Sequence, residues 1–149
     1  MSWPVVIVLV PAERRPELES RFRALGPFWH WPTPQDDQVQ WGGSAYSLDL
    51  SGEVLRDYEP EHLDEVTARI GEPYAVRVAS ESMDAARALL RHILPGLAAT
   101  VDTDHWELIP SDDFLGLLAR HPGWDWRRVP STELPGGPGP SGGSGAGDR

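Results

Sequence analysis

The four residues Asp102-Thr103-Asp104-His105 form the densest group of side chains in this sequence that could do acid–base or metal chemistry. In an extended backbone alternate side chains point to the same side, so Asp102 and Asp104 could share a cation, with His105 reaching in across a turn. The alternative is a polar strand end, where aspartates bond nearby backbone amides. Because no further ligand follows at a standard spacing, we favour this alternative and predict no metal site and no cofactor.

Motifs of the common enzyme classes are absent from the rest of the sequence. The histidines show no HxH or HExxH spacing, and His62 and His92 are expected on helix surfaces. There is no GxSxG elbow, no P-loop and no GxGxxG, and the absence of cysteine excludes thiol nucleophiles and disulfides. We therefore predict a non-enzymatic protein with no catalytic residue, and keep a metal-dependent hydrolase around Asp102, Asp104 and His105 as a weaker alternative.

Charge is the feature of this chain that points most directly to a partner. The formal net charge is −10, and between positions 26 and 72 ten acidic residues stand against two arginines. Such a segment repels nucleic acid and anionic membrane and attracts basic protein surfaces by steering that salt screens. A merely solvated helix face is the simpler interpretation, but such a face normally mixes signs. The acidic residues expected to contact a partner are Asp36, Asp37, Asp57, Glu61, Asp64 and Glu65.

Seven tryptophans are many for 149 residues. Trp29 and Trp31 stand two positions apart, as do Trp124 and Trp126, so in extended backbone each pair projects to one face. Such pairs either cover the core from loops or form an exposed anchor of the kind found at binding hot spots. Because Trp29 and Trp31 precede the acidic pair Asp36-Asp37, we include both tryptophans in the predicted partner-binding surface.

Length and composition predict one α+β domain over residues 1–130 and a flexible Gly/Pro/Ser-rich tail over 131–149. The apolar run Val5 to Val10 is too short for a signal sequence or a membrane span, which predicts a cytoplasmic protein. Lysine and asparagine are absent, a bias typical of a GC-rich bacterial coding sequence.

Hydrophobic periodicity and turn residues predict alternating strands and helices. Val5 to Val10 is the best candidate for a central strand, because its β-branched run is apolar throughout. Ser82 is expected to cap a helix. The remaining predictions are a helix near 13–25, a loop from Phe28 to Asp37, a strand interrupted by Gly42-Gly43, a strand from Ser44 to Leu50, a helix over 60–70 ended by Gly71, a strand from Tyr74 to Ala79, a strand or small hairpin within 98–109, and a helix from Ser111.

Two sheets are compatible with this order. In a ferredoxin-like βαββαβ sandwich, the helix at 60–70 is an insertion between the central strands and the last helix is a C-terminal addition. In an open α/β sheet, every crossover is a helix and the strands are mostly parallel. We favour the first plan, because only the first strand is hydrophobic throughout while the others alternate.

A short motif links this sequence to a known type of protein. The stretch from Val101 to Leu115, which includes Asp102-Thr103-Asp104-His105, is followed by Pro122-Gly123-Trp124-Asp125-Trp126. Together they resemble small bacterial immunity-type proteins that accompany polymorphic toxins. The resemblance implies a small cytoplasmic α/β protein that binds and neutralises a toxin domain.

Our leading hypothesis is therefore a non-enzymatic binding protein that blocks a basic toxin domain by occlusion. The alternative is a small regulatory or ligand-binding α/β domain that self-associates, for example as a homodimer joined through sheet edges or tryptophan faces. Neither hypothesis involves nucleic acid or membrane.

Overall fold

The computed structural model describes residues 2–29, 37–105 and 107–135. The strands are β1 Val5–Pro11, β2 Asp37–Trp41, β3 Ser44–Asp49, β4 Pro73–Ser80, β5 Thr100–Asp102 and β6 Leu108–Pro110. The α-helices are α1 Arg15–Arg23, α2 Pro60–Ile70, α3 Met83–Ile93 and α4 Ser111–Arg120. Short 3₁₀ helices cover Ala12–Arg14, Glu53–Asp57 and Ser131–Glu133.

The six strands form one open sheet in the order β2-β3-β4-β1-β5-β6. Each neighbouring pair is antiparallel. This confirms the α+β class, whereas the mostly parallel strands of the second plan are not found among the described residues. β1 lies in the middle, between β4 and β5, as its continuous apolar sequence predicts.

Helices cover both faces of the sheet. On the first face, alternate residues of β1 such as Val6 and Val8 pack in one core with α1, α3 and α4. On the second face, Ile7 and Leu9 pack with Val66 of α2 and with residues of the 3₁₀ helix Glu53–Asp57. β1 is therefore buried on both sides, which explains why it lacks the alternation of the other strands.

Local sequence signals place most elements correctly. α2 begins at Pro60 and Gly71 follows its last residue, with a φ of 81° that favours glycine. Ser82 caps α3, its side chain accepting a hydrogen bond from the Ala85 amide at 3.0 Å. Gly42-Gly43 forms the turn between β2 and β3, and the 98–109 segment contains the β5–β6 hairpin.

The packed part of the chain continues beyond the predicted domain boundary at Pro130. The Ser131 amide donates to both carboxylate oxygens of Glu107, at 2.9 and 3.0 Å, and the Ser131 hydroxyl also bonds this carboxylate. Leu134 packs against the first-face core. The tail predicted for 131–149 is therefore attached to the domain at its start, and residues 136–149 lie outside the described residues.

Within the described ranges, none of the helices combines the length and the apolar character that crossing a membrane requires.

Candidate functional site

A half-open cleft of about 270 Å³ lies on the second face of the sheet. Four segments form it: the middle of β1, the end of the 3₁₀ helix Glu53–Asp57 with the chain that joins it to α2, the first turn of α2, and the end of β5 with the turn that follows it. Its lining residues are Ile7, Asp57, Tyr58, Glu59, His62, Asp102 and Asp104. We call this the acidic cleft.

Asp102 is the buried centre of the cleft. Its side chain is 5% exposed, and one carboxylate oxygen accepts hydrogen bonds from the Tyr58 hydroxyl at 2.7 Å and contacts His62 Nε2 at 3.0 Å. The other oxygen accepts from the Asp104 amide at 2.8 Å. The Tyr58 and His62 rings stack with their centroids 4.7 Å apart. A buried carboxylate is stable when its oxygens are bonded in this way.

The sequence of this region explains the geometry. Asp104 has a φ of 65°, in the left-handed region that aspartate tolerates, so the chain turns immediately after β5. Asp102 bonds the amide two residues on, as in an Asx turn. The turn prediction for this segment is therefore met, while Asp102 and Asp104 also line one cleft.

Burial changes the acidity of two cleft side chains. The pKa of the Tyr58 hydroxyl is raised, first by burial and then by its hydrogen bond to Asp102 and the nearby negative charge. The pKa of Asp104 is also raised, mainly by burial and secondarily by Asp102, against smaller opposing effects of His105 and Arg77. Tyr58 therefore stays a neutral hydrogen-bond donor to Asp102 well above neutral pH.

Among the described residues, four carboxyl groups line the cleft, and neither arginine nor lysine does. They belong to Asp57, Glu59, Asp102 and Asp104. The negative surface continues along α2, where Glu61, Asp64 and Glu65 are exposed. Glu65 pairs with Arg69 at 2.9 Å, so its charge is partly balanced within the helix. The arrangement is suited to cations and to hydrogen-bond donors.

His62 is the one imidazole among the described residues that line the cleft. Because Nε2 faces the Asp102 carboxylate, a proton on Nε2 is donated to it and Nδ1 is left as the acceptor. A base oriented by a carboxylate resembles part of a hydrolytic triad, but the described lining residues include no Ser, Thr, Cys or Lys to serve as a nucleophile. Hydrogen bonding and charge pairing are the chemistry that these lining residues support.

The Asp102/Asp104/His105 cluster does not form a metal centre in the part of the chain that the structure describes, where no three His, Asp or Glu side chains converge to hold a metal ion. His105 is exposed and is absent from the lining of the acidic cleft. Both Asp102 oxygens already accept hydrogen bonds from protein donors. These described residues therefore do not supply the metal ligands that a metal-dependent hydrolase would need.

The predicted partner-binding residues do not form one surface. Asp57, Glu61, Asp64 and Glu65 lie together on the second face, on and before α2. Asp37 pairs in the sheet with Leu48 of β3, and the Leu48 side chain belongs to the first-face core. The Asp37 carboxylate is 3.9 Å from Arg23 of α1. Strand alternation thus places Asp37 on the opposite face from α2.

The tryptophans divide between surface and core. Trp29 is 41% exposed and pairs through its backbone with Gln38 at the β2 edge, whereas Trp31 and Asp36 lie outside the described residues. Trp124 and Trp126 are 4% and 1% exposed and contact Phe114 with centroid distances of 5.6 and 5.3 Å. The second pair therefore covers the core and offers no interface anchor.

Sequence reasoning missed Tyr58, Glu59 and His62 as cleft residues. His62 was expected on a helix surface, but it is half-buried against Tyr58 and Asp102. Tyr58 has an extended backbone and precedes Pro60, the first residue of α2, so no helical spacing indicates its contact with His62. Both side chains contact Asp102, which is 40 or more positions away in sequence. Strand pairing in the sheet brings these residues together, and no short sequence pattern indicates it.

Comparison with known proteins gives no family assignment: no family model matches this chain, and no similar curated protein or solved structure is found.

Proposed function

We propose that this protein is a non-enzymatic binding domain whose acidic second face holds a basic protein, with immunity to a toxin domain as the most specific form of the hypothesis. The observation that carries the proposal is that the described residues lining the acidic cleft include four carboxyl groups and no arginine. The exposed Glu61 and Asp64 extend this charge onto α2. A basic surface would find there a concave contact of opposite sign.

The mechanism is occlusion. Long-range attraction by a protein of net charge −10 brings a basic partner to the face, and salt screens that attraction. Arginine or lysine side chains of the partner then pair with the exposed carboxylates in and beside the cleft, which belong to Asp57, Glu59, Glu61 and Asp64. In a nuclease toxin those cations would otherwise hold phosphate, so pairing them blocks substrate binding.

Charge reversal on α2 tests the proposal. The tagged protein is used to capture partners from its native lysate at low and high salt, as wild type and as the double variant Glu61→Arg, Asp64→Arg. The matched control reverses Asp112 and Asp113, which are exposed in the first turn of α4 and belong to the opposite layer. We expect wild type and control to capture one basic protein that high salt releases.

The α2 variant should associate with that protein about tenfold more slowly than wild type, because steering depends on the charge at the contact. Co-expression should also protect cells from the captured protein if it is a toxin. Equal capture by the α2 variant and wild type would overturn the acidic-face proposal. Equal loss in both double variants would show that only total charge matters, which would also contradict it.

The exposed tryptophans favour a second candidate, a domain that self-associates through the uncovered part of the second face. Trp3 and Trp29 are each 41% exposed, and small or polar residues such as Ser47 and Ala79 lie on the strands between them. Two copies could cover each other's tryptophans. A solution mass that rises with concentration, and falls back in Trp29→Ala, would support this candidate; a constant monomer mass would exclude it.

We also propose that the inner strands form a ferredoxin-like unit. The antiparallel order β3-β4-β1-β5, with α1 after β1 and α3 joining β4 to β5, supports this topology. α2 is then an insertion between two central strands, and α4 a C-terminal addition. An experimental structure with a different strand order or with left-handed crossovers would contradict the proposal.

A further inference from the structure

A second cleft, of about 410 Å³, lies on the same face of the sheet as the acidic cleft but differs from it in chemistry. Its lining residues are Ser2, Trp3, Pro4, Val5, Arg77, Ala79, Asp104, His105 and Arg127. The described lining residues include two arginines and a histidine, against one carboxylate, that of Asp104. The volume is in the range of sites for small organic ligands. We call it the basic cleft.

Arg77 forms part of the cleft floor. In the sheet register it lies between Asp49 of β3 and Ile7 of β1, and it is half-buried. The Asp49 carboxylate accepts hydrogen bonds from the Ser51 amide and hydroxyl, at 2.9 and 2.6 Å. Within the described ranges no carboxylate lies within 4.0 Å of the Arg77 guanidinium. The Asp104 carboxylate lines the same cleft and is near enough for Arg77 to oppose the rise in pKa that burial causes there, so an anionic ligand would compete with Asp104 for this half-buried guanidinium.

The rim supplies a second cation and an aromatic ring. Arg127 is fixed by a two-point contact with Asp125, from Nε at 3.0 Å and Nη2 at 2.9 Å, so its side chain is held in place although its charge is partly balanced. Trp3 is 41% exposed and His105 is exposed, both in the cleft wall. An exposed indole can stack on a planar ligand.

We infer that the basic cleft binds a small organic anion that carries a ring next to a phosphate or carboxylate. Arg77 pairs with the anionic group at the floor, and the Trp3 indole covers the ring, while Val5 and Ala79 provide an apolar base. Such a site is unexpected in a protein whose net charge is −10, because the overall field repels anions. Selective binding therefore requires the local guanidinium and the ring together.

Calorimetric titrations at low ionic strength test this with four defined probes. Adenosine monophosphate and benzoate each combine a ring with an anionic group; adenosine carries the ring alone, and inorganic phosphate the anion alone. We expect at least one of the first two to bind more tightly than adenosine and phosphate. Binding of adenosine monophosphate alone assigns a phosphate ligand, and binding of benzoate alone assigns a carboxylate.

Two variants and one control locate the bound probe. Arg77→Gln should weaken binding about tenfold or more, because it removes a charged hydrogen-bond donor. Trp3→Ala, at an exposed position that should leave folding intact, should weaken the ring-bearing probe but not phosphate. Arg56→Gln makes the same change of charge at a side chain that is 80% exposed outside the cleft, and should bind like wild type.

Three results would overturn the inference. The first is the absence of binding by all four probes at millimolar concentration. The second is binding that both Arg77→Gln and Trp3→Ala leave unchanged. The third is binding that Arg56→Gln weakens as much as Arg77→Gln does. Folding of each variant is checked by its thermal unfolding curve, and Trp3→Ala keeps the test decisive if Arg77→Gln unfolds.

Discussion

At the scale of single residues, Asp102 determines whether the acidic cleft exists. It accepts hydrogen bonds from Tyr58, His62 and the Asp104 amide, and so connects α2 to the end of β5. Removing such an acceptor leaves buried donors without partners, which costs more than the bonds themselves contribute.

We predict that Asp102→Ala lowers the free energy of unfolding by about 2–3 kcal/mol, because it leaves the Tyr58 hydroxyl and the Asp104 amide unpaired. Urea denaturation measures the loss. Asp112→Ala removes an exposed carboxylate from α4 and should change stability by less than about 0.5 kcal/mol. Equal effects of the two substitutions would show that Asp102 does not organise the cleft.

The tyrosines give a second prediction at this scale. Burial raises the pKa of Tyr74 to about 12, and also raises the pKa of Tyr58 and Tyr46 above the ordinary 10.0. A tyrosine whose pKa is raised in the folded state contributes stability to the fold. That contribution is fully present below the unfolded pKa near 10 and is lost as the pH rises toward the folded pKa.

Stability should therefore fall between about pH 10 and pH 12, as the unfolded chain loses phenolic protons that the folded protein retains. Tyrosinate absorbance measures this directly. The native protein should ionise its tyrosines at higher pH than the same protein in concentrated urea, and coincident titration curves would contradict the burial of the three hydroxyl groups.

At the scale of elements, the cleft depends on how the chain enters the 3₁₀ helix Glu53–Asp57. Gly52 precedes this helix with a φ of 85°, and a Cβ added there would lie 3.4 Å from the Tyr74 ring. A side chain at this position would adopt the strained left-handed conformation, with the Tyr74 ring at van der Waals distance.

We predict that Gly52→Ala lowers the free energy of unfolding by about 1–2 kcal/mol and loosens the Tyr58 contact with Asp102. Gly123→Ala is the matched control, since it has no positive φ and an added Cβ meets no atom within 4 Å. Thermal unfolding compares the two. A Gly52→Ala variant as stable as wild type would show that another conformation of this segment is accessible.

The elements also show what a sequence can reveal. α2, from Pro60 to Gly71, and the Ser82 cap of α3 follow from signals carried within a few residues, and the structure has both where they were predicted. The position of Asp37 depends on strand register, which local patterns do not determine. Tyr58, His62 and Asp102 meet only after β1 has brought β4 and β5 to its two sides.

At the scale of the whole molecule, the question is whether the acidic cleft and the α2 carboxylates direct recognition. Acidic residues clustered between positions 26 and 72 in sequence separate in space, with Asp37 on one face and the α2 carboxylates on the other. The second face then carries two neighbouring clefts of different chemistry, both lined by Asp104.

Amide chemical-shift mapping with a short arginine-rich peptide at low salt is the most direct measurement of where a basic partner docks. Binding to the acidic face should shift the amides of residues 57–65 and 102–104, reverse on adding salt, and spare Asp112 and Asp113 of α4. Shifts confined to α4, or spread evenly over both faces, would contradict recognition through the acidic cleft.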